Sequence, residues 1–209
     1  MAESLPPPPS VTDLQNLGPE VHVLPAGTVI WRVYLRGGLH PTTWDTFRTY
    51  GPTGARFDHH DPPPSVHPVK AILFGADRGP TCLAEVFQDT RVIDRHRYQP
   101  ALAAFQLVRD LALLDVTGAW PTRAGASMAI GTGRRKRARE WSRAIYDAFP
   151  QLEGIRYASS MDANRPAFAL YERSKQAIPA RALLDAPFSA PGLEILLARA
   201  AARFQYRLR

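Results

Sequence analysis

Short runs rich in β-branched and aromatic residues recur along the chain between clusters of turn-forming residues, and this pattern predicts a series of strands. The predicted strands are 21–24, 28–34, 69–74, 91–94, 111–116, 155–157 and 168–171. Residues 101–108 are also apolar, but their period does not decide between strand and helix. In the strand 28–34, the alternation places Ile30, Arg32 and Tyr34 on one face. An arginine on that face either meets an anion or reaches solvent at an edge of the sheet.

Apolar residues at three- and four-residue steps predict an amphipathic helix over 134–149, which Pro150 would end. A similar apolar side predicts a last helix over 191–206. Thr81 is the expected N-cap of a short helix that carries Glu85. Basic residues crowd the first turn of helix 134–149, where the helix dipole disfavours them. Either an anionic group lies nearby, or this helix end is solvated.

Strands that alternate irregularly with helices favour an α+β fold with small mixed or antiparallel sheets and surrounding helices, rather than a doubly wound parallel sheet. A length of 209 residues fits one domain with tails. Residues 1–20 are rich in proline and lack an amphipathic period, so we expect a mobile or surface-draped arm. The domain itself is expected over 21–180, with 181–209 as a C-terminal helical extension.

Composition narrows the class of protein. With 45% hydrophobic and 10% aromatic residues, the chain can build a packed core. No apolar run reaches the roughly 18 residues that a membrane-spanning helix needs. The N-terminus lacks the pattern of a secretion signal, and the one cysteine, Cys82, lies in an apolar run. We therefore expect no membrane association, a cytoplasmic location and a buried, inert Cys82 thiol.

The formal net charge of +7 suits a phosphate-bearing substrate, an acidic partner or nucleic acid. The basic residues cluster in 134–139 and near the C-terminus. No recognisable nucleic-acid-binding motif accompanies them, so a solvated basic face is the simpler interpretation.

Three separated segments each place one polar side chain among apolar and turn-forming neighbours, as is typical of functional groups presented where a strand ends. They are Gly54-Ala55-Arg56-Phe57-Asp58, Leu83-Ala84-Glu85-Val86 and Gly154-Ile155-Arg156-Tyr157-Ala158-Ser159. The order of arginine, glutamate and serine, with these neighbours, resembles the RES-domain family over about residues 28–175. Each motif is weak alone, and their joint order and spacing carry the resemblance.

The resemblance implies a fold similar to that of ADP-ribosyltransferases and an enzyme that consumes NAD. Breaking the nicotinamide–ribose bond leaves positive charge on the ribose, which a fixed carboxylate can stabilise. Glu85 matches the family's glutamate and is the expected catalytic carboxylate. Arg32 and Arg56 match the family's arginines and would bind the NAD phosphates, because guanidinium groups pair well with phosphate oxygens. Ser159 matches the family's serine and would hold ribose or phosphate, with the adjacent Ser160 as the alternative.

Aromatic rings complete the expected site. Tyr34, Phe74 and Tyr157 are expected to contact NAD, because aromatic rings can clamp the nicotinamide. Phe74 falls where the family usually has tyrosine. The ring is kept and the hydroxyl is lost, so no proton transfer is expected at that position.

The resemblance also implies the toxin of a bacterial toxin–antitoxin pair, which depletes NAD by hydrolysis or by phosphorolysis with inorganic phosphate as co-substrate. NAD would be the substrate, so no resident cofactor is expected. The partner would be an Xre-like antitoxin in a hetero-oligomer, with a homodimer of this chain as a further possibility and no direct binding of nucleic acid by the chain itself. Two alternatives stay open: transfer of ADP-ribose to a protein, and a basic nucleic-acid-binding module without catalysis.

Two other motifs point elsewhere. His59-His60-Asp61 contains potential metal ligands, but adjacent histidines diverge and no further ligands stand at zinc-like spacing, so no metal site is expected. Ile130-Gly131-Thr132-Gly133-Arg134-Arg135 resembles a phosphate-binding loop, yet it lacks the full glycine spacing and the terminal lysine. We interpret it as a turn that caps the next helix.

Overall fold

Strands and helices alternate within residues 5–209, which the computed structural model describes. The strands are β1 (Val21–Leu24), β2 (Val29–Leu35), β3 (Tyr50–Gly51), β4 (Ser65–Val66), β5 (Ile72–Ala76), β6 (Val92–Ile93), β7 (Pro100–Gln106), β8 (Leu111–Asp115), β9 (Gly154–Ala158), β10 (Pro166–Tyr171), β11 (Leu184–Pro187) and β12 (Arg207–Leu208). The α-helices are α1 (Val11–Leu17), α2 (Gly79–Val86), α3 (Trp120–Arg123), α4 (Ala129–Thr132), α5 (Arg135–Ala148) and α6 (Glu194–Phe204), and two 3-10 helices cover Glu172–Ala177 and Pro191–Leu193. No helix in this part of the chain is both long and apolar enough to cross a membrane.

Eight strands form one sheet in the order β1-β8-β9-β10-β5-β2-β7-β11. Neighbouring strands in it are antiparallel except β8 and β9, which are parallel. The predicted α+β class is confirmed. The sheet is larger than the small sheets expected from the sequence, because a strand pattern does not reveal which distant strands will pair. Two-stranded sheets, β3 with β4 and β6 with β12, lie outside it.

The pairing between β2 and β5 is short, and it determines where these two strands separate. Only Trp31 and Ala76 form a paired position between these two strands. A Cβ atom on Gly75 would lie 2.5 Å from the Ile30 side chain and 2.9 Å from the Trp31 carbonyl oxygen. Glycine therefore permits the close approach, and beyond this point the two strands diverge.

The amphipathic helix predicted over 134–149 is confirmed as α5. Its residues Ala138, Trp141 and Ile145 are buried in one cluster with Ile155 of β9. Full burial of a large apolar side chain contributes about 1.5–3 kcal/mol, so this face anchors α5 to the sheet. The start of α5 is thereby fixed beside the region where β2 and β5 diverge.

Of the two expectations for the N-terminal arm, mobile or surface-draped, the mobile one does not describe residues 5–20, which are ordered, and residues 1–4 lie outside the described chain. Ser10 caps α1 by accepting the backbone N–H of Asp13 at 3.1 Å, and Leu14 of that helix is fully buried. Leu5 is buried in the same cluster, and Trp141 donates its indole N–H to the Pro6 carbonyl at 2.8 Å. The helix α1 has seven residues, of which only Leu14 is buried, so it shows no amphipathic period in the sequence. Its position is determined by packing against α5.

Three further expectations about elements require correction or completion. Thr81 does not cap α2, because the helix begins at Gly79 after Arg78, with proline in its first turn. The ambiguous apolar run is the strand β7. The segment 181–209 is not only helical, since β11 joins the main sheet through β7 and β12 pairs with β6. These short strands are ordered by distant partners, which a local pattern does not reveal.

Candidate active site

A cleft of about 560 Å³ opens where β2 and β5 diverge. Val33 and Phe74 line it from the two strands, Glu85 from the last turn of α2, and Arg135 from the start of α5. The loop that carries Arg56 lines it as well. Its volume lies within the roughly 300–1,000 Å³ that is typical of small-molecule and cofactor sites.

Glu85 is half-buried in this cleft. Burial raises the pKa of its carboxyl group, while the hydrogen bond from Ser159 and the positive charges of Arg56 and Arg135 oppose the increase. Burial prevails, so the pKa lies above its ordinary value. The expected catalytic carboxylate therefore lies beside two guanidinium groups in a partly desolvated position.

Ser159 lies behind Glu85 and does not line the cleft. Its side chain is fully buried. Its hydroxyl donates to Glu85 Oε1 at 2.5 Å and accepts the backbone N–H groups of Met161 and Asp162, each at 3.1 Å. One donor and two acceptor sites are all that a hydroxyl has, so the Ser159 hydroxyl has no site left in this arrangement for the expected contact with ribose or phosphate. Ser160, the alternative, lines the cleft.

Arg56 is half-buried and faces the same cleft as Glu85. One terminal nitrogen donates to the Gly133 carbonyl at 2.5 Å. Burial and the positive charge of Arg135 lower its pKa, and the charge of Glu85 raises it. The guanidinium keeps further N–H groups for an anion, since one of its five is used by this carbonyl.

The loop that carries Arg56 is organised by Asp58, whose side chain is fully buried. Its carboxylate accepts hydrogen bonds from Arg48 at 2.8 Å, from the Thr53 backbone N–H at 2.7 Å and from His60 Nδ1 at 2.6 Å. Burial alone would raise the pKa of Asp58, but the hydrogen bond from His60 and the charge of Arg48 outweigh it and hold the pKa well below the ordinary value. The Asp58 carboxylate thus fixes the loop in place.

Arg32 is buried, as are Ile30 and Tyr34 on the face that the alternation in β2 predicts for all three, and it reaches the cleft. Its Nη1 donates to the carbonyl oxygens of Trp44 at 3.0 Å and Thr46 at 2.8 Å. Burial lowers its pKa to about 10. Arg32 does not reach solvent, and two backbone oxygens hold its Nη1, so this nitrogen is not available to an anion.

The three expected aromatic residues all line the cleft. Tyr157 packs against Phe57 with ring centroids 4.7 Å apart, and burial raises its pKa well above the ordinary value. Phe74 is partly exposed to the cleft. The Tyr34 hydroxyl donates to Asp185 and accepts from Arg36 at 2.8 Å, so it is engaged within the protein. Phe74 and Tyr157 are therefore the rings best placed for a planar ligand.

Sequence reasoning did not select Arg135 as a site residue, although a signal was present. The basic first turn of this helix indicates either an anionic neighbour or a solvated end. Arg135 makes two hydrogen bonds to Asp89, both at 3.0 Å, and its charge also acts on Glu85. The anionic neighbours of this helix end are thus Asp89 and Glu85, which both line the cleft.

The histidines and the cysteine considered in the sequence have packing roles. His59 is fully buried and stacks on Tyr146 with ring centroids 4.3 Å apart. The two ring nitrogens of His60 face Asp58 at 2.6 Å and the Lys70 carbonyl at 3.1 Å. Burial raises the pKa of the Cys82 thiol, which keeps it protonated and unreactive.

A sequence model of the RES domain matches residues 29–191, which is most of the chain. The chain therefore belongs to the RES domain family, and the resemblance inferred from the three segments is confirmed. No curated protein matches the sequence.

One solved structure with a similar fold is a chain from the crystal structure of the M. tuberculosis MbcT–MbcA toxin–antitoxin complex. The TM-score is 0.52 and the sequence identity 14%, over 86% of this chain and 92% of that chain. At this identity the similarity concerns the fold.

Proposed function

We propose that this protein is the toxin of a toxin–antitoxin pair and that it cleaves the nicotinamide–ribose bond of NAD. One observation carries the proposal: Glu85 is held in the cleft by Ser159, with a raised pKa, beside Arg56 and Arg135. This arrangement suits a substrate with two parts. The cationic groups match its phosphates, and the carboxylate matches a sugar on which positive charge develops.

The chemistry follows from this arrangement. When the bond between the ribose anomeric carbon and the nicotinamide nitrogen breaks, the electron pair leaves with nicotinamide and the ribose becomes cationic. The Glu85 carboxylate stabilises that charge, a contribution that is commonly worth about a hundredfold to a thousandfold in rate. Water or inorganic phosphate then bonds to the anomeric carbon. Water loses one proton in this step, and Glu85, with its raised pKa, is able to accept it.

The rest of the cleft supports binding of the same substrate. Arg56 offers unpaired N–H groups to the pyrophosphate, and charge-assisted hydrogen bonds of this kind contribute about 1.5–3 kcal/mol each. Phe74 and Tyr157 offer aromatic surface to the nicotinamide ring. Arg32 contributes positive charge near the phosphates, while its Nη1 stays on the backbone.

The proposed partner is an Xre-like antitoxin that neutralises the toxin in the cytoplasm. Membership of the RES family supports this partner, and so does a toxin–antitoxin complex whose chain has a similar fold. Charge supports it as well, because a chain of net charge +7 offers an acidic partner a complementary surface.

The experiment incubates purified protein with NAD, with and without inorganic phosphate, and identifies every product. Hydrolysis gives nicotinamide and ADP-ribose, phosphorolysis gives nicotinamide and phosphorylated ADP-ribose, and transfer to a protein gives nicotinamide and a modified protein. Glu85→Gln is expected to abolish turnover, and Glu194→Gln, an exposed change on α6, is expected to preserve it. A non-catalytic nucleic-acid-binding module would release no nicotinamide under any condition and would bind nucleic acid with strong salt dependence.

A further inference from the structure

Asp162 lies behind the cleft and connects three elements around Glu85. Its side chain is fully buried. Oδ2 accepts hydrogen bonds from the Thr81 hydroxyl at 2.6 Å and from Arg78 at 2.9 Å, and Oδ1 accepts one from Arg203 at 2.8 Å. Arg78 and Thr81 belong to the start of α2, and Arg203 belongs to the last turn of α6. One carboxylate thus joins both helices to the turn that follows β9.

The backbone of Asp162 reaches the serine that holds Glu85. Its N–H donates to Ser159 Oγ at 3.1 Å, and Ser159 in turn donates to Glu85. Thr81 stands one helical turn before Glu85 on α2. The side chain of Asp162 therefore holds the helix that carries the carboxylate, while its backbone holds the hydroxyl that orients the carboxylate.

The C-terminal helix takes part in this arrangement although it lies beyond residue 191, where the family match ends. Leu197 and Ala200 of α6 are buried with Leu83 of α2. Just after α6, the Tyr206 hydroxyl donates to the carbonyl oxygen of Ala84, the residue before Glu85, at 3.2 Å. A segment outside the matched region thus supports the helix that carries Glu85.

We propose that Asp162 is a positioning residue, which fixes the hydrogen bond between Ser159 and Glu85 and depends on Arg203 of α6 to do so. The inference rests on the proposed role of Glu85 in NAD cleavage. Loss of the contact between Asp162 and Arg203 frees the turn, weakens the hydrogen bond from Ser159 and lets the carboxylate leave its position.

The kinetic test compares Asp162→Asn and Arg203→Gln with a matched control, Arg199→Gln. Arg199 is exposed one turn earlier on α6 and forms no ion pair within residues 5–209. We expect kcat to fall about tenfold to a hundredfold in the first two variants, because a displacement of about 1 Å can cost about a hundredfold in rate. KM is expected to change less than about twofold, since these residues lie away from the substrate. Arg203→Lys, which keeps the charge, should recover most of the activity, and Arg199→Gln should retain the wild-type values.

A second measurement does not require turnover. The Glu85 carboxyl group is titrated by NMR in the full-length protein, in wild type, Ser159→Ala, Asp162→Asn, Arg203→Gln and the double variant of Ser159→Ala with Asp162→Asn. The hydrogen bond from Ser159 lowers the pKa of Glu85, so Ser159→Ala and Asp162→Asn should each raise it, and the double variant should equal Ser159→Ala. Loss of the negative charge of Asp162 alone would lower the pKa of Glu85, so an increase reports the lost hydrogen bond.

The outcomes separate the two proposals. If wild-type protein releases no nicotinamide but the Asp162 and Arg203 variants still shift the Glu85 titration upwards, the proposed function fails and the positioning role stands. If NAD is cleaved but kcat and the Glu85 titration are unchanged in both variants, the positioning role is overturned. Should Asp162→Asn fail to fold, Arg203→Gln tests the positioning role instead. The Arg203 side chain is 50% exposed, and its loss leaves Arg78 paired with the Asp162 carboxylate.

Discussion

At the scale of single residues, burial and neighbouring groups act in opposite directions on the pKa of Glu85. Burial raises its pKa, and Ser159, Arg56 and Arg135 lower it without cancelling the effect of burial. The ionised carboxylate is therefore incompletely compensated in the protein. In the proposed function, the same deficit lets the carboxylate stabilise a cationic ribose, so the cost in folding free energy and the proposed catalytic benefit have one origin.

This competition predicts that Glu85→Gln makes the protein more stable at neutral pH. The folded pKa of Glu85 lies above its ordinary value of 4.5. Folding therefore favours the protonated form, and stability is lost as pH rises through the folded pKa. A neutral amide avoids that loss, and its carbonyl oxygen can still accept from Ser159.

Thermal unfolding between about pH 4 and pH 8 checks this prediction. The Tm of Glu85→Gln should exceed that of wild type at neutral pH, and the difference should shrink as pH falls. A Tm below wild type across the whole range would show that the positive charges around Glu85, and not its burial, dominate.

Three of the residues selected from the sequence face the same cleft, from a loop, a helix and a strand. Arg56, Glu85 and Tyr157 line the cleft as expected. Ser159 and Ser160 are adjacent, and the sequence does not decide between them. The choice depends on a turn that Asp162 fixes through α2 and α6, and such distant contacts have no local pattern.

At the scale of elements, the loop from Thr53 to Asp58 depends on one buried carboxylate. Asp58 holds Arg48, Thr53 and His60 together, and its pKa lies well below the ordinary value of 3.8. Its contribution to stability is therefore present above about pH 4 and is lost as pH falls through the folded pKa.

Asp58→Ala should lower the free energy of unfolding by about 3–5 kcal/mol at neutral pH, because it leaves buried donors and a charge without their partner. Denaturant unfolding measures the change, and the gap to wild type should narrow in acid. Asp61→Ala is the matched control: Asp61 is exposed and, within residues 5–209, forms an ion pair with Lys70 alone, so its loss should cost less than about 1 kcal/mol. Equal costs for the two variants would contradict the assigned role of Asp58.

A clear internal period allows an element to be predicted from the sequence without knowledge of its partners. The face of α5 with Trp141 and Ile145, and the alternation in β2, need no partner to be recognised. The helix α1 and the strands β11 and β12 are short, and packing or pairing with distant residues determines them. The loop around Arg56 has no period in the sequence, and its form depends on the hydrogen bonds that Asp58 accepts from Arg48, Thr53 and His60.

At the scale of the whole molecule, the cleft exists because two strands of the sheet touch at one point and then diverge. Gly75 permits that contact, because a Cβ atom there would lie 2.5 Å from the Ile30 side chain. Gly75→Ala should therefore cost about 1–3 kcal/mol in unfolding free energy and reduce activity, since overpacking moves the backbone.

Denaturant unfolding and NAD turnover of Gly75→Ala check this prediction against Gly192→Ala. A Cβ atom on Gly192 meets no atom within 4 Å, so that control should keep wild-type stability and activity. If Gly75→Ala behaves like the control, the close contact between β2 and β5 does not determine the shape of the cleft.

The proposed role of Glu85, held in this cleft, is to break the nicotinamide–ribose bond. The most direct test measures nicotinamide released from NAD by wild-type protein and by Glu85→Gln at equal concentrations of folded protein. We predict release by wild type and a rate at least about a hundredfold lower for the variant. Equal rates for the two proteins, or no release by wild type with or without phosphate, would contradict the proposed role of Glu85.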